Sequence, residues 1–87
     1  MMTKEQEVER GRQAAAILEN PAFREAVEAL EKTYTDDWRN TPAPDAQGRE
    51  RLYVALQVSR DFSAQLVSMI ATGKISAQQL AKLRTAK

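Results

Sequence analysis

Leu52-Tyr53-Val54-Ala55-Leu56-Gln57-Val58-Ser59-Arg60-Asp61-Phe62-Ser63-Ala64-Gln65-Leu66-Val67-Ser68-Met69-Ile70-Ala71-Thr72 is the stretch that decides the fold of this 87-residue chain. Its only charges are the neighbours Arg60 and Asp61. Leu52, Ala55, Leu56, Ser59, Phe62, Ser63, Leu66, Met69 and Ile70 recur at the three- and four-residue spacing of one helix face. Tyr53, Val54, Val58, Val67 and Ala71 fall outside that stripe. A helix that is apolar on more than one side needs cover on more than one side. Asp45 supplies a cap at the start, and Gly73 reads as the left-handed residue that ends the helix, so the spacing predicts a helix over about 45–72.

Upstream, Thr41-Pro42-Ala43-Pro44 cannot be helical, because two prolines remove donors and restrict the residues before them. Before that loop, Phe23, Val27, Leu30, Tyr34 and Trp38 recur at steps of four, three, four and four, with Ala26 and Ala29 widening the stripe. Asn20-Pro21 marks the start of this amphipathic helix, since proline suits the first helical turn. Glu28 and Lys32 stand one turn apart, in the order that favours an ion pair. An N-terminal helix follows from the capping box Thr3-Lys4-Glu5-Gln6, but its apolar stripe is weak and Gly11 interrupts it. At the other end, Ser76 with Gln79 reads as a second capping box and Ile75 with Leu80 as its hydrophobic staple. The fold expected is therefore all-α and a single helical domain over 1–87. It consists of an antiparallel hairpin (about 21–40 and 45–72), an N-terminal helix (about 4–19) and a short C-terminal helix (about 77–85).

Composition narrows the chemistry. With no Cys and no His, the chain has no disulfide, no thiolate nucleophile, and neither the commonest neutral-pH base nor the commonest transition-metal ligand. Fourteen alanines favour helix but bury little area, so the core rests on few large side chains. No secretory signal opens the sequence, and no apolar run is long enough to span a bilayer, which points to a cytoplasmic protein without membrane attachment. The net charge of +1 hides an asymmetry: residues 1–40 carry nine acids and six bases, residues 41–87 three acids and seven bases. Lys74, Lys82, Arg84 and Lys87 form a basic end that suits nucleic acid or an acidic partner. The same four cations equally suit a terminal helix whose dipole favours positive charge there.

No catalytic, metal or cofactor site is expected. Asp36-Asp37, with Glu31 and Asp45 nearby, lacks a third carboxylate one turn away on the same side and reads as a solvated helix end. Trp38 and Tyr34 continue the core stripe, so they read as packing residues before they read as a base-stacking platform. Arg49, Arg51 and Arg60 alternate with Glu50 and Asp61 and make no basic strip. What stands out is the second apolar side of the third helix. Covering five or six medium side chains there is worth on the order of 10 kcal/mol before entropy costs. Val54, Val58, Phe62, Leu66, Val67 and Ile70 are the candidate protein-contact residues, through self-association as a homo-oligomer or docking on a larger protein.

The string Trp38-Arg39-Asn40-Thr41-Pro42-Ala43-Pro44-Asp45-Ala46-Gln47-Gly48-Arg49-Glu50-Arg51-Leu52-Tyr53, followed by Leu56 and by Gly73-Lys74, resembles short helical proteins encoded by tailed phages and prophages. Those proteins tend to be encoded among virion-assembly and DNA-packaging genes. The resemblance spans roughly Asn20 to Ile75 and implies a non-enzymatic structural or assembly accessory, in the host cytoplasm or on the virion. Two other classes stay open. One is a small nucleic-acid-binding regulator or packaging subunit that uses the basic end; the other is an inhibitor of a host protein.

Overall fold

A computed structural model describes residues 1–85, and among these it shows three α-helices and no strand: α1 (Lys4–Glu19), α2 (Pro21–Asn40) and α3 (Ala46–Thr85). The start of α1 is the reciprocal box read from the sequence. The Gln6 amide donates to Thr3 Oγ1 (3.1 Å) and the Thr3 amide to Gln6 Oε1 (2.9 Å). Asn20 is extended (φ −69°, ψ 121°), as a residue before proline must be, and its N–H donates to the Ile17 carbonyl. Pro21 then opens α2. At the far end the Thr41 hydroxyl donates to the Asp37 carbonyl, and the Asp45 amide to that of Pro42. Asp45 Oδ1 accepts from the Gly48 amide at 2.9 Å and caps α3.

The third helix corrects the sequence reading. It does not stop at Thr72, and the separate helix expected over about 77–85 is its continuation, so α3 runs for 40 residues. No glycine has positive φ. Gly73 is helical and buried, and Ser76 is a buried mid-helix residue, not a cap.

The physical reason lies in the first of two compact units, which contains Met1–Asn20 and the chain from Ala64 onward. A methyl group on Gly73 would come to 3.0 Å from the Glu7 carbonyl oxygen and 3.1 Å from Gly11 Cα. One on Gly11 would meet the Met69 carbonyl oxygen at 3.1 Å and Gly73 Cα at 3.2 Å. Both glycines serve the close approach of two backbones and neither makes a turn. Ala14 and Ser76, three residues beyond each glycine, are buried as well, and Leu66 is the one large buried side chain among the described residues.

The second unit, Pro21–Ser63, is the antiparallel pairing of α2 with the first part of α3. Its register is fixed at one end by Phe23 and Phe62, whose rings lie 6.4 Å apart and tilted by 43°. Near the loop the Arg49 guanidinium sits 4.9 Å from the centre of the Trp38 ring.

Candidate protein-interaction surface

The α2–α3 pair has the expected stripe but little interior. Phe23, Val27 and Tyr34 on α2, and Leu52, Ala55, Leu56, Ser59 and Ser63 on α3, are each only half-buried, and no residue of α2 is fully buried. Two helices side by side have no closed core, so side chains at the seam stay open on both flanks.

One flank is apolar on both helices. At 100° per residue, Val54, Val58 and Phe62 stand in line along α3, and Ala22, Ala26 and Leu30 in line along α2, with Ala29 beside them. The Phe23–Phe62 contact places the two rows on the same side of the pair. Val58 is 61 % exposed, Phe62 58 %, Val54 49 % and Leu30 42 %; the three alanines are exposed too. Arg24, Glu28 and Glu31 project from the other side of α2, while Glu25 and Lys32 border the alanine row and Asp37 follows it beyond Leu30. Lys32 pairs with Asp36 and not with Glu28. The hydrogen bond from Lys32 holds the Asp36 carboxyl below its ordinary range; desolvation opposes this, while the charges of Lys32 and Arg39 add to it. Among the described residues no group of three or more Asp or Glu is placed to hold a metal.

The six contact residues named from the sequence fall three in each unit. Val54, Val58 and Phe62 are exposed together in the α2–α3 unit. Val67, in the other unit, is exposed as well. Leu66 is buried and Ile70 half-buried, and Ile70 lines a shallow groove with Val8, Gly11 and Ala15 of α1. The basic end forms no strip: Lys74, Lys82 and Arg84 are exposed at diverging angles around α3, and Lys87 lies outside the described residues. Folding does bring Arg12 beside two of these cations. It lines one groove with Lys74 and another with Arg84, a proximity that no spacing in the sequence reveals.

Missed from sequence was the role of α2. Ala22, Ala26 and Leu30 were readable at steps of four, but the alanines look like the margin of a core stripe until the position of α3 is known. No described helix is long and apolar enough to cross a membrane. No protein-family model matches the chain, and no curated protein or solved structure is significantly similar to it.

Proposed function

We propose that this protein acts by helix-to-helix contact with other protein chains, as a non-catalytic assembly accessory of a tailed phage working in the host cytoplasm. One observation carries the reading: a small all-helical chain leaves Leu30, Val54, Val58 and Phe62 about half exposed on a single flank of the α2–α3 unit. Surfaces of this kind mark sites of protein contact. The phage setting rests on the sequence resemblance between Asn20 and Ile75. The diverging Lys74, Lys82 and Arg84 give the nucleic-acid reading no further support.

The test is co-sedimentation with assembly intermediates from phage-producing cells, comparing the natural chain with Val58→Asp. The natural chain should travel with particles or their precursors and Val58→Asp should remain at the top of the gradient. Equal behaviour of the two would remove this flank from the function. A natural chain that stays free of particles but is retained by a host enzyme would instead be an inhibitor.

A further inference from the structure

The exposed flank of α2 and α3 has a shape as well as a polarity. On α3, Val54, Val58 and Phe62 make a ridge of large side chains; on α2, Ala22, Ala26 and Ala29 make a valley with Leu30 at its end. Both rows repeat every four residues, and the two helices run in opposite directions. Phe62 and Phe23 stand at one level, as their ring contact shows. Counting along each helix from that level puts Phe62 beside Ala22, Val58 beside Ala26 and Val54 beside Leu30. The ridge and the valley are therefore the same length and in the same register.

We propose that the occupant of this flank is a second copy of the chain, related by a twofold axis parallel to the helices. Each α3 ridge then lies in the α2 valley of the other copy. Val58 packs on the partner's Ala26 and Phe62 on the partner's Ala22, and the same contacts recur on the other side of the axis. Large against small fills space, whereas the alternative seating, α3 on α3 and α2 on α2, would oppose ridge to ridge and leave the alanine rows apart. This inference rests on the reading of the flank as a protein-contact surface and specifies its partner.

Area and charge both agree. At about 150–200 Å² for a large apolar side chain, the exposed fractions of Leu30, Val54, Val58 and Phe62 leave roughly 300–400 Å² of apolar surface per copy before the alanines are added. At an interface core about 65 % apolar, that corresponds to ~1,100 Å² buried in total, just above the least that a specific contact needs. A twofold contact sets each patch against its own kind, so a charged patch would repel itself. The rows themselves are uncharged, with Asp61 at the outer edge of the α3 row and Arg51 and Asp37 beyond the Val54–Leu30 end, and the net charge of each chain is only +1.

Because the chain contains no cysteine, introduced cysteines report the seating. First, light scattering after size exclusion of the natural chain at about 100 µM should give twice 9.8 kDa. Next, Ala26→Cys and Val58→Cys are made as separate chains, mixed and oxidised. The mixture should form a disulfide-linked dimer at several times the yield of either variant alone, since the geometry brings residue 58 to the partner's residue 26 and not to its own counterpart. Circular dichroism of both variants should match the natural chain, as both positions are exposed within the unit. A natural chain that stays monomeric overturns the proposal, and so does Val58→Cys cross-linking alone as well as the mixture. A monomer that still co-sediments with particles, and loses that in Val58→Asp, overturns self-docking while the functional reading stands. A monomer indifferent to Val58→Asp overturns both.

Discussion

The two units solve the problem of joining two helices in opposite ways. Around Gly11 and Gly73 the backbones of α1 and α3 come close enough that a methyl group would press on main-chain atoms. The contact is made of Gly, Ala and Ser, and it buries them well with few large side chains. In the α2–α3 pair the seam carries Phe, Val, Tyr, Trp and Leu, and none of α2 is fully buried. Small residues let backbone meet backbone. Large residues hold helices further apart and leave flanks that two helices cannot cover. The first unit is joined backbone to backbone; the second is joined through large side chains.

Substitutions test that contrast most sharply at the close approach. Gly73→Leu should cost on the order of 3 kcal/mol in urea unfolding and free the α1 amides to exchange, because the added side chain meets the Glu7 carbonyl and Gly11 backbone, which cannot swing aside. Native stability in that variant would mean that α1 and α3 can separate without loss, and that the close approach does not hold the first unit together.

Smaller, and more telling about the two kinds of burial, is the pair Leu66→Ala and Val58→Ala. Leu66 is 8 % exposed, so its truncation should cost about 2–3 kcal/mol at any protein concentration. Val58→Ala should cost under ~0.5 kcal/mol in dilute solution and more as concentration rises. Equal losses at low concentration would erase the distinction between the two surfaces. Next in size, Asp45→Ala removes the acceptor for the Gly48 amide and should lower stability by about 1 kcal/mol, read from the urea midpoint.

Acidification should give the least effect. The Asp36 carboxyl is held below its ordinary value by Lys32, so the folded chain releases this proton more readily than the unfolded one. The resulting stabilisation is present above the unfolded-state pKa and is lost as pH falls through the lower folded value. Thermal melts of the natural chain and Asp36→Asn should therefore differ at neutral pH and converge below the carboxylate range. A difference that persists in acid would mean that Asp36 acts through something other than its charge.

Local signals in the sequence held up well where their partners lie within three or four residues. Thr3 with Gln6, Asn20 before Pro21, the double-proline loop and the Asp45 cap all stand where the sequence put them. Gly73 and Ser76 were misread for one common reason. A glycine can end a helix through its backbone freedom or let another backbone approach, and a serine can cap a helix or lie buried within one. The deciding partners are Gly11 and Glu7, more than sixty residues away in the chain. The contact residues divided along the same line: Leu66 and Ile70 share the apolar periodicity of Phe62 but belong to the part of α3 that α1 covers.

Sequence by itself determined that the chain is helical, where α1 and α2 begin and end, and that α3 carries more apolar surface than one neighbour can cover. Those properties follow from propensity, capping and periodicity, which act over a turn or two of helix. Only the tertiary structure decided that α3 runs unbroken through Gly73, which apolar residues are spent inside each unit, and that an alanine row on α2 lies beside the Val54-Val58-Phe62 ridge. Each of these depends on which helix faces which, and that is set by contacts between residues far apart in the chain.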